Sequence, residues 1–572
     1  MTTNFSEMTP AMSTRRRLVC LLMPVLFAGA CASTPPAPPP DTVFINGRIW
    51  TGAAASPEAE AMAVTGGLIV AVGTTAEIGA LAGAGTRQID LEGGRVVPGF
   101  NDAHWHLPTR RTADLGEAGS VDVIERRLRE FAATLGPDEW ITGRGWGATD
   151  FPDRRPHRRY LDAVFPDRPV LLTDRDGHQT LANSRALQLA AVTRTTKDPE
   201  NGRIERDAEG EPTGVLKEAA SSLVRRLIPP VTADQVYRSL IAELDKAASF
   251  GLTSIQVASG SGASGVEYEA YARAVREGAL KLRVRVGVPF VRDVTDARLS
   301  EFQALKQKHA GSSLTFGIAK GMLDGTVDAH TAAMLDPYAD QPGTGLPMWD
   351  QPSLDAAVSA YDRIGWQVQL HAIGDRAIRM ALDAFEFADT SNASSDRRHR
   401  IEHVEVPALS DLPRFRALGV IASTQAMFAS PDAITLSNYA PALGPERASR
   451  SNAFKLFDDA GATQAFGSDY PVFTMEVMRG IHAAVTRQLP DGTPPEGFYP
   501  EHRLPVAEAV RHFTAGSAYA EFADEHKGTL VVGNLADFVA LSEDIFTIPP
   551  AQLATVKAML TVMGGTITWR RR

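Results

Sequence analysis

Val96-Val97-Pro98-Gly99-Phe100-Asn101-Asp102-Ala103-His104-Trp105-His106 is the stretch on which the reading of the chain turns. Residues 96–100 form a short, almost unbroken apolar run of the kind expected for a strand buried on both faces, and polar residues follow at its carboxyl end. In an extended chain, residues two apart point to the same side. His104 and His106 can therefore converge on one ion while Trp105 turns into the wall. An isolated His-x-His arises often by chance, so its meaning depends on what the rest of the chain supplies.

Working outward, comparable apolar runs recur at residues 253–257, 282–288, 314–319, 367–370, 401–404, 420–423 and 464–466. Helical patterns separate them. Between residues 233 and 250, Val236, Leu240, Leu244 and Ala247 recur at helical spacing. Alternating strands and helices favour a parallel sheet, and eight such units over about 300 residues have the size of a (β/α)8 barrel. Residues 98–107 and 231–525 are assigned to this barrel. Residues 108–230 are too long for a loop after the first strand and read as an inserted lobe. Glycine-broken strand signals at residues 42–97, and again at 526–572, suggest one small sheet domain built from both termini.

Further polar residues stand at or just beyond the ends of the barrel runs. His371 follows the fifth, His403 the sixth and Asp469 the eighth, while Lys320 closes the fourth. Each has an ordinary structural explanation. A histidine at a strand end is commonly a satisfied core residue, an Asp after Gly-Ser is commonly a helix cap, and a Lys in an apolar strand can snorkel or pair with a carboxylate. The joint pattern argues otherwise, because independent accidents would have to strike five strands of one barrel in a sensible order.

The segments 98–106, Lys320 with Asp324-Gly325-Thr326, His371-Ala372-Ile373-Gly374-Asp375, Arg400-Ile401-Glu402-His403 and Gly467-Ser468-Asp469-Tyr470-Pro471-Val472 together resemble the amidohydrolase superfamily. Within it, the chain is similar to the YtcJ-like, or amidohydrolase 3, group that includes N-substituted formamide deformylases. The likeness runs from Phe44 to Trp569. It implies an α/β fold: a (β/α)8 TIM barrel with a composite β-sandwich from both termini and an inserted α/β lobe. It implies a divalent-metal hydrolase, most often with zinc, using one or two ions. His104, His106, His371 and His403 would be ligands, and Asp469 would contact metal and attacking water. Lys320 stands where many members carry a lysine carboxylated by CO2, and a protonated lysine is no ligand without that change. His178, in Asp176-Gly177-His178 of the lobe, is a candidate for contact with substrate, with a purely structural role as its equal rival.

Composition narrows the field further. Lys and Arg number 58 against 68 Asp and Glu, a net charge of -10, which lacks the basic footprint of a nucleic-acid binder. The two cysteines, Cys20 and Cys31, both lie near the amino terminus, so the metal site has to be built from histidine and carboxylate, either with a carboxylated Lys320 bridging two ions or with one ion and Lys320 only pairing with charge. Arg15-Arg16-Arg17 followed by the apolar run 18–30 has the form of a secretory signal. Ala28-Gly29-Ala30-Cys31 resembles a bacterial lipobox, and Thr14-Arg15-Arg16 resembles a twin-arginine export signal. Residues 1–30 are thus expected to be a lipoprotein-type signal peptide and residues 31–41, with five prolines between 33 and 40, an extended tether. The expected location is the periplasmic face of a bacterial membrane, with lipid on Cys31 as the anchor.

The expected activity is hydrolysis of a non-peptide C-N bond in a small amide, N-acyl or N-formyl compound through a metal-activated water. Two rivals stand beside it: an esterase or lactonase on the same barrel, and a non-catalytic, lipid-anchored binding protein. The sequence leaves the oligomeric state open.

Overall fold

Gly99 divides the opening stretch into two strands that serve different sheets. A computed structural model describes residues 38–571 apart from 117, 175–178, 200–201, 260–264, 312, 394–395 and 433–434. The leader, with Cys20 and Cys31, and His178 of the lobe lie outside the described residues. Arg95–Pro98 pairs with strands from both ends of the chain, whereas the barrel strand is Phe100–Trp105. The run 96–100 is therefore not the first barrel strand, and His104 sits inside that strand rather than beyond it. The cause is steric: a Cβ on Gly99 would lie 2.3 Å from Thr253 Oγ1, so only glycine lets the chain turn from one sheet into the other at this point.

The barrel strands are β1 (Phe100–Trp105), β2 (Leu252–Val257), β3 (Arg283–Pro289), β4 (Leu314–Met322), β5 (Gln367–Ala372), β6 (Arg400–His403), β7 (Ile421–Gln425) and β8 (Gln464–Gly467). They follow one another in sequence order, and every neighbouring pair is parallel. The helix Ala233–Ser249 leads into β2. Thr232 and Gln235 form its capping box, and Val236, Leu240, Leu244 and Ala247 are buried against the barrel. Each fully buried Leu or Val of that stripe contributes about 1.5–3 kcal/mol.

The ring closes between β8 and β1 just past the last residue of β8. Asp469 N donates to His104 O at 2.7 Å and His106 N to Tyr470 O at 2.8 Å. The buried Asp102 reinforces this seam, accepting from Ser468 N at 2.9 Å and from Ser468 Oγ at 2.5 Å. Gly467 makes the approach possible, since a Cβ there would fall 2.5 Å from His104 N. Gly467→Ala is accordingly expected to lower the unfolding free energy by about 1–3 kcal/mol, an overpacking cost. Denaturant melts of variant and wild type measure it.

Both ends of the chain meet in a second layer. Thr566–Arg570, Ala558–Met563, Phe538–Leu541, Arg95–Pro98, Arg48–Trp50 and Glu58–Ala59 form one six-stranded sheet. Leu68–Gly73, Ala61–Thr65, Thr42–Ile45 and Arg87–Asp90 form a four-stranded one. The two share an apolar core in which Phe44 meets Phe538 edge-on at 4.8 Å. A separate six-stranded sheet, running from Ala113–Asp114 to Pro212–Glu218 in sequence, has its own core around Trp146 and Leu172. Among the described residues, no helix is long and apolar enough to cross a membrane.

Candidate metal centre

Strand geometry alone brings the first two histidines together. His104 and His106 flank the buried Trp105, their rings 5.1 Å apart, and Trp105 packs against Tyr470. Asp469 arrives across the seam: its Oδ1 lies 3.0 Å from His106 Nε2 and 3.4 Å from His104 Nε2. Ligand atoms of these three residues all fall within 4.8 Å of one another. No helix starts at Asp469, so the capping explanation does not apply; the next helix is Val477–Thr486.

The other two histidines stand beside this trio. His403 packs on His104 with ring centroids 4.9 Å apart, and His371 packs on His403 at 4.4 Å. They are ring neighbours of the trio, not members of its tight cluster. Lys320 is 3 % exposed, and among the described residues no carboxylate lies within ion-pair distance of it; its Nζ is 3.8 Å from Met322 Sδ.

Each buried imidazole is held in one orientation by a partner that the sequence reading had not assigned. His104 Nδ1 lies 2.5 Å from Glu402 Oε2, and the carboxylate makes Nδ1 the donor. Glu402 is itself fixed by Arg400, with Nε to Oε1 at 3.0 Å, and by Ser423 Oγ at 2.7 Å. His403 Nδ1 lies 2.7 Å from Gln425 Oε1. His371 Nε2 faces the Gly325 carbonyl at 3.4 Å. Asp324, beside it, accepts from the N–H groups of Ala333, Ile373 and Gly374 at 2.9, 3.1 and 2.9 Å, tying β4 to the turn after β5. Arg400 and Glu402, two residues apart in a fully buried strand, were the available sign, since opposite charges buried on one face must satisfy each other.

Backbone geometry is also unusual here. His403, Val404 and Asp469 adopt left-handed φ angles of 72, 49 and 55°. Non-glycine residues held there cost about 1–3 kcal/mol each, and such strain persists where surrounding contacts over-determine it.

The electrostatics favour ligation. Burial pushes the imidazolium forms of His104 and His371 down, and that of His403 to about 3, so all three are neutral at pH 7 with a lone pair to offer. Burial would raise the carboxyls of Asp469 and Glu402. The imidazoles around Asp469, and Arg400 with His104 beside Glu402, outweigh it and hold both low. His104 Nε2 is buried without a hydrogen-bond partner, because its only donor hydrogen is committed to Glu402 at Nδ1. An unpartnered imidazole nitrogen facing a second imidazole and a carboxylate suits a divalent cation that takes nitrogen and oxygen ligands. The donor set fits the group.

One buried acid near the centre behaves oppositely. Burial, with Asp328 and Asp324 nearby and despite the Tyr439 hydroxyl, pushes Glu405 up to about 8 from 4.5. Between those values the folded protein keeps a proton that the unfolded chain has released, so this group's contribution falls as pH rises through the window. In metal-depleted protein, Glu405→Gln is expected to gain thermal stability relative to wild type between pH 5 and pH 8. Parallel melting curves with an unchanged difference would remove Glu405 as the cause.

Similarity to known proteins points the same way as the geometry. The family profile described as "Amidohydrolase family" matches residues 87–569. YtcJ of Bacillus subtilis strain 168 is 31 % identical over 539 residues, 92 % of this chain and 99 % of the relative. The N-substituted formamide deformylase of Arthrobacter pascens is 28 % identical over 558 residues, covering 93 % and 98 %. A crystal structure of an uncharacterized metal-dependent hydrolase from Pyrococcus horikoshii OT3 superposes with a TM-score of 0.71 at 25 % identity, over 89 % of this chain and 99 % of that one.

Proposed function

Because the chain belongs to the amidohydrolase family, we propose that it is a metal-dependent hydrolase of the non-peptide C-N bond in small N-substituted amides, N-formyl compounds foremost. The observation that carries this reading is the buried, unpartnered Nε2 of His104 converging with His106 and Asp469. The similarity to a formamide deformylase supports the choice of bond. An aromatic wall supports an apolar substituent: Phe428 stacks on His403 at 6.2 Å and meets Phe473 at 4.8 Å, both partly exposed.

His104, His106, His371, His403 and Asp469 would hold the metal, zinc by the chemistry of the donors. Such an ion supplies a Lewis acid that lowers the pKa of water towards neutrality and polarises a carbonyl. Asp469, held as a carboxylate, accepts the proton of the attacking water and returns it to the leaving amine. Glu402 keeps the Nδ1 proton of His104 in place, so Nε2 stays free. His178 is the lobe's proposed contact with substrate. Burial lowers the pKa of Lys320, favouring the free amine that adds to CO2, forming an N–C bond and releasing one proton. The resulting carbamate would add an anionic oxygen donor to the residues that would hold the metal.

Metal analysis with a panel of N-substituted formamides, amides, esters and lactones tests the proposal. The expected result is formate and amine release that disappears on chelation. Metal-replete protein that cleaves only the esters or lactones would overturn the choice of bond. One metal equivalent, with activity unchanged in Lys320→Ala, would remove the carboxylated lysine. The leader motifs further support an exported, lipid-anchored enzyme, for which palmitate labelling lost in Cys31→Ala is the expected outcome.

A further inference from the structure

The opposite mouth of the barrel contains a cavity of about 270 Å³, lined by Arg285, Lys306, Phe316, Trp366, Arg397 and Phe522 among others. It lies away from the metal centre. Phe316 is the third residue of β4 and Lys320 the seventh, while Gln367 opens β5 and His371 is its fifth. Four residues of strand separate the two levels by about 13 Å.

Three cations, Arg285, Lys306 and Arg397, and three acids, Asp362, Asp396 and Glu521, line this cavity, but they are unevenly paired. Every acid has its own partners. Asp362 is held by Arg397 Nε at 3.1 Å, His399 Nε2 at 3.2 Å and Asn392 Nδ2 at 2.8 Å. Asp396 pairs with Arg398 at 2.7 Å. Glu521 pairs with Lys527 and accepts from Asn101 Nδ2 at 2.5 Å. Arg397 also binds Asp389 at 2.6 Å. Among the described residues, two cations make no ion pair. Lys306 Nζ reaches one neutral acceptor, the Gly365 carbonyl, at 2.8 Å. Arg285, 7 % exposed, has neither a hydrogen-bond acceptor nor a carboxylate in ion-pair distance among the described residues; its guanidinium packs 5.1 Å from the centre of the Phe522 ring. The two side chains converge over Gly317, whose Cβ position would lie 3.4 Å from Arg285 Nη2 and 3.5 Å from Lys306 Cε. A buried guanidinium with no hydrogen-bond acceptor, beside a half-buried ammonium, is costly unless an anion joins them.

We propose that this cavity is a second ligand site, separate from the metal centre, for a small organic carboxylate bridging Arg285 and Lys306. A guanidinium fork suits a planar carboxylate, and the body of the ligand would lie against Trp366, Phe316 and Phe522. Burial depresses the basicity of both cations, Glu521 offsetting part of this at Arg285, and Arg285 depresses Lys306 further, a penalty that a bound anion relieves.

Benzoate, its neutral isostere benzamide and inorganic phosphate are the probes, added to the full metal-replete protein and followed by thermal unfolding and tryptophan fluorescence. Benzoate is expected to stabilise saturably, benzamide not, and benzoate inhibition, where present, to be non-competitive with substrate. Lys306→Gln is expected to weaken benzoate about ten-fold, the loss of one charge-assisted contact. Arg285→Gln should do at least as much; if it fails to fold, Lys306→Gln carries the test alone, because its half-exposed ammonium bonds the Gly365 carbonyl and lies 6.0 Å from the Trp366 ring, with no ion pair among the described residues. Equal effects of benzoate and benzamide, an unchanged benzoate affinity in Lys306→Gln, strictly competitive behaviour, or binding of phosphate without benzoate would each overturn the proposal. Thermal unfolding needs no substrate turnover, so this outcome is independent of the assigned reaction.

Discussion

Asp469→Asn is expected to cut kcat by about 10²–10⁴-fold, the usual contribution of a positioned acid-base group, with an unfolding midpoint near that of wild type. The asparagine has no basic oxygen to take a proton from water, yet nearly all that Asp469 does structurally survives. The seam bond from residue 469 to His104 O is a backbone bond, and a side-chain oxygen still faces His106. The φ of 55° suits asparagine as well as any residue but glycine. Steady-state kinetics on the best formamide, with the metal content measured alongside, makes the test. Turnover retained at the wild-type rate would refute the assigned role of Asp469.

Glu402→Gln is expected to cost about 3–5 kcal/mol in stability and about 10–100-fold in metal affinity. Three donors converge on this carboxylate: Arg400, His104 Nδ1 and Ser423 Oγ. An amide offers one oxygen and turns its N–H groups towards the remaining donors. Arg400, fully buried, would keep Gln256 at 2.5 Å, Ala103 O at 2.7 Å and Ser423 at 2.8 Å, all neutral, and lose the one carboxylate that pairs with it among the described residues. Denaturant melts separate the stability loss from the affinity loss, which chelator competition reads. Wild-type values in both would mean that the network is decoration.

How much of this was legible in advance depended on the distance over which a residue finds its partner. His104 and His106 were readable because the period of a strand places both on one side within three residues. The seven later barrel strands were readable as apolar runs, each observed within a few residues of its expected bounds. The first was displaced because the apolar run continues through Gly99, and only the crowding of Thr253 against that glycine breaks it. Hydropathy carries no sign of a collision with a residue 154 positions away. Glu402 and Asp102 were hidden for the same reason: their partners His104 and Ser468 lie 298 and 366 positions off. Local spacing identifies groups that could bind an ion, whereas the groups that orient them are found by folding. The leftover cations at the far mouth belong to this second kind, since Arg285 reads as one of several charges in a strand until its neighbours are seen to be taken.

The seam between β8 and β1 has a consequence for how the molecule is made. Its hydrogen bonds join His104 and His106 to Asp469 and Tyr470, so three residues of the candidate metal centre are also part of the clasp of the ring. The cluster of His104, His106 and Asp469 cannot assemble on a growing chain until Asp469 has been synthesised, and an ion bound there would draw the two edges of the barrel together. Metal occupancy and ring closure would then be linked equilibria, and two fragments cut in a surface loop of the barrel should recognise each other more tightly with the ion than without it.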